Sequence, residues 1–171
     1  MIQHLHPSAH PRTWVLLACT LIPTLTSCGS PKTGFSSDEP LVLQSKEGLA
    51  IKGYDPVTYF TDNEAVRGVS SITATYEGAT YSFTTEANRR LFLSSPSRYV
   101  PAYGGWCAWA VATGEGSLVP VNPRSFLIEE GRLFLFYDSW LADTRRSWLR
   151  GARSGLRSRG DKNWNRMRNA R

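Results

Sequence analysis

Ile72-Thr73-Ala74-Thr75-Tyr76-Glu77-Gly78-Ala79-Thr80-Tyr81-Ser82-Phe83-Thr84 alternates β-prone and smaller or polar residues on both sides of a Glu-Gly pair. Two such runs around a dipeptide that tolerates positive φ predict an antiparallel hairpin. Thr84 or Thr85 then caps a helix, with Glu86 in its first turn, Leu91 and Phe92 on its apolar side, and an end before Pro96. The pattern returns downstream: residues 125–129, Glu130-Gly131 and residues 132–137 predict a second hairpin. Asp138 or Ser139 is placed to cap the helix that follows, and Trp140, Leu141, Trp148 and Leu149 supply its apolar stripe. Laying Gly78 over Gly131 puts Tyr81 over Phe134 and Phe83 over Phe136, which fits an internal duplication or a common supersecondary form used twice. Two hairpin-plus-helix units predict a compact single-domain α+β fold. A last helix is expected over residues 153–167, interrupted near Gly160.

The amino terminus reads as an address. Residues 1–12 are polar, residues 14–25 form an apolar run of signal-peptide length that is too short to cross a bilayer, and Leu25-Thr26-Ser27-Cys28-Gly29 follows. That ending resembles a bacterial lipobox. Leu16-Leu17-Ala18-Cys19 fits too but leaves little apolar core, so Cys28 is the expected lipidation site, carrying acyl chains such as palmitate. The alternative is a cleaved secretory signal with Cys28 as a plain thiol. Several acyl chains anchor stably where one does not, and Gly29 in place of Asp implies the outer membrane, facing the periplasm, in a Gram-negative host. The expected organisation is a signal peptide (1–27), a Ser/Pro/Gly-rich tether (28–46), a folded domain (47–138) and a basic C-terminal helical extension (139–171).

Removing residues 1–27 takes away His4, His6 and His10, all the histidine in the chain, together with Cys19. With Cys28 acylated, Cys107 is the one remaining thiol, so no internal disulfide is expected. Cys-His and Ser-His-Asp catalysis are excluded on the same ground. No catalytic residues are assigned, although an unfamiliar thiol or carboxylate site stays open as a third reading. The formal charge of +6 is uneven: residues 139–171 carry ten Lys/Arg against Asp143 and Asp161. An exported chain meets anionic lipid or polysaccharide rather than nucleic acid, so the basic segment suits the former or is a solvated helix face.

Gly53-Tyr54-Asp55-Pro56-Val57-Thr58-Tyr59-Phe60, Tyr76-Glu77-Gly78-Ala79-Thr80-Tyr81-Ser82-Phe83, Asn88-Arg89, Phe92, Pro96 and Tyr99 together resemble the YHS-domain family. Tyr103-Gly104-Gly105-Trp106-Cys107-Ala108-Trp109-Ala110 extends the likeness to its bacterial exported branch, and the resemblance spans roughly residues 48–137. The family is similar to TRASH-type metal-binding modules, whose cysteines before the hairpin and at its far end hold a metal. The resemblance places Asp55 at the opening cysteine and Thr84 and Asn88 at the later pair, so most of the ligand set is missing.

Structural zinc wants four Cys or His ligands and copper(I) wants soft sulfur. The domain offers Cys107 and Met167, with carboxylates such as Asp55. Cys107 with Asp55 is the candidate metal site, for a copper or zinc ion; otherwise Cys107 is a small buried hydrophobe between Trp106 and Trp109, and Asp55-Pro56 a turn starter. Tyr103, Trp106 and Trp109 are the candidate ligand or partner surface, or else core. The leading expectation is an envelope-anchored binding module linked to metal handling. The second is a non-metal partner-binding or structural lipoprotein that uses its aromatic surface and basic tail.

Overall fold

The structure, a computed structural model, describes residues 41–170 apart from Gln44, Lys46 and Glu115 and the side chains of Arg153 and Ser154. The expected signal peptide, Cys28 and most of the expected tether therefore lie outside the described residues. The fold is α+β: strands β1 (Val69–Tyr76) and β2 (Ala79–Phe83) pair antiparallel, as do β3 (Asn122–Glu129) and β4 (Arg132–Phe136), in two separate sheets. Glu77 and Gly78 sit at φ 47° and 75°, and Glu130 and Gly131 at 49° and 72°. This is the left-handed pair that a two-residue hairpin turn needs.

The hairpins are equivalent position by position. Val69, Thr73, Tyr76, Ala79 and Phe83 correspond to Asn122, Phe126, Glu129, Arg132 and Phe136, each 53 residues on, with the register shift at the same place. The likeness reaches upstream. Ile51, Lys52 and Gly53 turn left-handed at φ 52°, 54° and 78°, and Tyr103, Gly104 and Gly105 do so at 56°, 60° and 85°. Leu49 bridges Thr80 in parallel and Pro101 bridges Leu133 likewise. Each turn leads into a short helix, α1 (Thr58–Thr61) or α4 (Ala108–Thr113).

Each hairpin is closed by a helix bearing one large aromatic. On α2 (Glu86–Ser94), capped by the Thr85 hydroxyl as expected, Phe92 packs on Tyr81 and Phe83 at centroid distances of 4.9 and 5.1 Å. Leu91, expected beside it, stays exposed. On α5 (Thr144–Arg150), Trp148 packs on Phe134 and Phe136 at 5.4 and 5.7 Å. This second helix starts later than expected. Its cap is Asp143, whose Oδ1 accepts from the Arg146 N–H, rather than Asp138 or Ser139. Trp140 and Leu141 consequently fall in the preceding loop, exposed, instead of on the helix's inner stripe, and Leu149 is also exposed.

A short helix α3 (Pro96–Tyr99) links the units, and α6 (Arg153–Asn169) ends the chain. The expected break near Gly160 does not occur: α6 is continuous, and a Cβ there would lie 2.5 Å from the Tyr103 Oη. Gly160 is a point of close approach, not a hinge. Trp148 and Leu156 are buried in the same core as the hairpin aromatics, and Met167 is buried as well, so the basic segment packs on the hairpin units.

Candidate functional site

The left-handed turn at Ile51–Gly53 delivers Asp55 into the base of the first unit, fully buried. Its Oδ1 accepts the Val57 N–H at 2.8 Å, the turn-starting contact expected of Asp-Pro. Its Oδ2 accepts three donors: the Thr84 N–H at 2.7 Å, the Thr84 Oγ1 hydroxyl at 2.8 Å and the Asn88 Nδ2 amide at 2.8 Å. Asn88 Nδ2 also donates to Thr84 Oγ1 at 3.0 Å. The three positions singled out by the resemblance thus meet in space, joined by hydrogen bonds among themselves.

Cys107 occupies the corresponding place in the second unit, equally buried. Its backbone N–H donates to Val119 O at 2.9 Å, as that of Asp55 does to Val66 O. Its Sγ accepts the Tyr137 N–H at 3.3 Å, where Asp55 accepts from Thr84, the first residue after the hairpin in each case. Thr144 Oγ1 lies 3.4 Å from the sulfur and donates its own proton to Tyr137 O at 2.7 Å, which leaves the thiol as donor to Thr144. Asp55 and Cys107 therefore serve separate units and share no hydrogen-bond partner. Among the described residues no three His, Cys, Asp or Glu side chains gather where a metal would need them.

Of the expected aromatic surface, two rings are largely buried. Tyr103 is 2% exposed and Trp106 6%, and Trp109 is half-buried. The second left-handed turn aims Tyr103 and Trp106 inward: Trp106 Nε1 donates to Leu41 O at 3.1 Å, and Tyr103 packs against Phe134 and Trp164. Tyr103 Oη donates to Asp161 Oδ1 at 3.1 Å, and Asp161 is held by both Arg132 Nη atoms, at 2.8 and 3.1 Å. Arg132 also lies over the Tyr103 ring, 5.6 Å from its centroid. Burial, helped by the Asp161 charge, pushes the Tyr103 phenol well up, and the hydrogen bonds that Arg132 donates to Asp161 raise its guanidinium.

This Tyr103–Asp161–Arg132 group forms one wall of a cleft of about 520 Å³ between the two hairpin turns and α6. Arg98, Trp164 and Arg168 line the other sides, with Glu77 at the first turn. Arg98 and Arg168 have no carboxylate partner among the described residues, whereas Arg157 of the basic segment is bound to Glu129 at 3.2 Å and Glu130 at 2.7 Å. Sequence reasoning missed Arg132, Asp161 and Trp164 as a group. The separation of 29 residues between Arg132 and Asp161 leaves no local pattern; the one signal was that Asp161 is one of only two acidic residues in the basic segment.

No family model, curated protein or solved structure matches the chain.

Proposed function

We propose that the chain is a YHS-like binding module of the bacterial envelope, tethered through acylated Cys28, that takes its ligand without a metal. The observation that carries this reading is the Asp55 side chain, whose two oxygens are already occupied by four donors. A copper or zinc ion bound there would have to displace those bonds and would gain only the neutral oxygens of Thr84 and Asn88, poor ligands for either metal. Cys107, the softer candidate, is committed to the other unit. The convergence of Asp55, Thr84 and Asn88 supports the YHS likeness, with hydrogen bonds standing where the related modules hold a metal.

The cleft is the place for a ligand. Arg98 and Arg168 suit an anionic group, for which guanidinium forks are well matched, and Trp164 offers an apolar face. The test is metal content of unacylated residues 29–171 after titration with copper(I) and zinc under reducing conditions, beside Cys107→Ser. We expect substoichiometric metal in both. Stoichiometric metal in the parent that is lost in the variant would overturn this reading and restore metal handling. The tether is tested by the mass of the envelope-purified chain, which should carry acyl groups that Cys28→Ser lacks.

A further inference from the structure

One residue, Thr84, separates β2 from the cap of α2, whereas six, residues 137–142, separate β4 from the cap of α5. The first unit shows that the fold does not need the added length. The longer loop carries Trp140, 91% exposed, and Leu141, 74% exposed, and such solvent exposure of two adjacent large apolar side chains costs hydration free energy with no packing in return.

The loop is nonetheless well tied. Ser139 Oγ accepts the Leu141 and Ala142 N–H groups at 3.3 and 3.2 Å, Ser139 N donates to Ala142 O at 2.9 Å, and Asp138 bridges Asp143 across its base. Trp140 and Leu141 therefore stand at the tip of a small closed loop. Next to it, α5 turns Trp148 inward and leaves Arg145, Arg146, Leu149 and Arg150 exposed. Of the nearby carboxylates, Asp143 is engaged by its own helix cap and by Arg146 at 3.5 Å, and Asp138 accepts from Asn122 at 3.4 Å.

We infer that this loop is a membrane-contact device: Trp140 and Leu141 enter the interfacial zone of an anionic bilayer while Arg145 and Arg150 meet its headgroups. Tryptophan is favoured at that depth because its ring is apolar and its N–H can stay hydrated. Arginines beside it select a negatively charged surface, and an amphipathic patch of this size gives reversible attachment that a lipid tether would reinforce. The inference rests on the envelope reading only for which membrane lies within reach, so it is tested without the lipid.

Unacylated residues 29–171 are mixed with vesicles of phosphatidylcholine alone or with phosphatidylglycerol as half the lipid. Binding is expected to the anionic vesicles, and to weaken at least about tenfold in Trp140→Ser/Leu141→Ser, since burying either side chain is worth that factor. The thermal midpoint of this variant should not move, because both residues are exposed. Arg145→Glu/Arg150→Glu should abolish the preference for anionic lipid. Brominated acyl chains should quench a fluorescence component present in the parent and absent in Trp140→Phe. Binding unchanged by the double serine variant or no quenching of Trp140 would each overturn insertion, and equal binding to neutral vesicles would overturn the anionic bilayer as the partner. No binding at all would do the same, while leaving the acylation of Cys28 to stand or fall on its own mass measurement.

Discussion

The two hairpin-and-helix units share a backbone plan and are closed by different chemistry. In the first, a buried carboxyl, Asp55, ties the opening turn to the end of the hairpin and to α2 through Thr84 and Asn88. In the second, the thiol of Cys107 takes the same N–H and reaches Thr144 at the start of α5. Phe92 and Trp148 play matching parts over aromatic pairs 53 residues apart, but the indole also donates to Glu129 at 3.1 Å, which Arg157 of α6 holds in turn. What both units require at this position is an acceptor for the first N–H beyond the hairpin. Oxygen and sulfur both fill that need, so the residue type there reports on how a turn is tied as much as on any ligand.

If that equivalence is sound, the stronger acceptor should matter more. Asp55→Ala takes the acceptor away from the buried Val57 N–H and from the part-buried donors of Thr84 and Asn88, and should cost about 3–5 kcal/mol in denaturant unfolding of residues 29–171. Cys107→Ala removes one weak acceptor and a small volume, so about 1–2 kcal/mol is expected; equal losses would break the comparison. Phe92→Ala and Trp148→Ala should each cost about 3–5 kcal/mol, and a much smaller loss for either would show that its unit does not depend on that aromatic.

A smaller difference separates the units at alkaline pH. Burial raises the phenols of Tyr59 and Tyr81 in the first unit and Tyr103 in the second. A phenol kept neutral by folding contributes stability that is complete below its unfolded pKa, about 10, and is lost as pH rises beyond it. Unfolding midpoints followed from pH 8 to 11 should therefore fall above about pH 10, and Tyr103→Phe should flatten that fall only in part. Smallest of all is the effect of Trp140→Ser on stability, within about 0.5 kcal/mol, since that ring packs on nothing the fold needs.

Much of the fold was legible because its signals are local. Alternation on both sides of Glu77-Gly78 and Glu130-Gly131, a Thr85 cap and a buried Phe92 are properties of neighbouring residues, and the turn-starting contact of Asp55 spans two positions. The start of α5 was misplaced because Asp138 and Ser139 are sound caps taken alone, and nothing nearby announces that the chain runs on to Asp143. The left-handed turns were hidden too: Ile51 and Tyr103 adopt positive φ, a conformation costly to both, and are held there by the burial of their side chains. Tyr103 and Trp106 could be read as surface or core, and only packing decided.

By itself the sequence determined the two hairpins, their repeated spacing, the acceptor waiting at Asp55, and a stretch from residue 28 onward that holds no histidine. Those follow from periodicity, turn chemistry and composition, which act over a few residues. Tertiary structure alone decided that Asp55 and Cys107 are counterparts in different units, that Gly160 makes room for Tyr103, that Arg132 and Asp161 meet, and that Trp140 and Leu141 face solvent. Each depends on segments far apart in the chain being packed against one another or kept apart, and no local pattern records that distance.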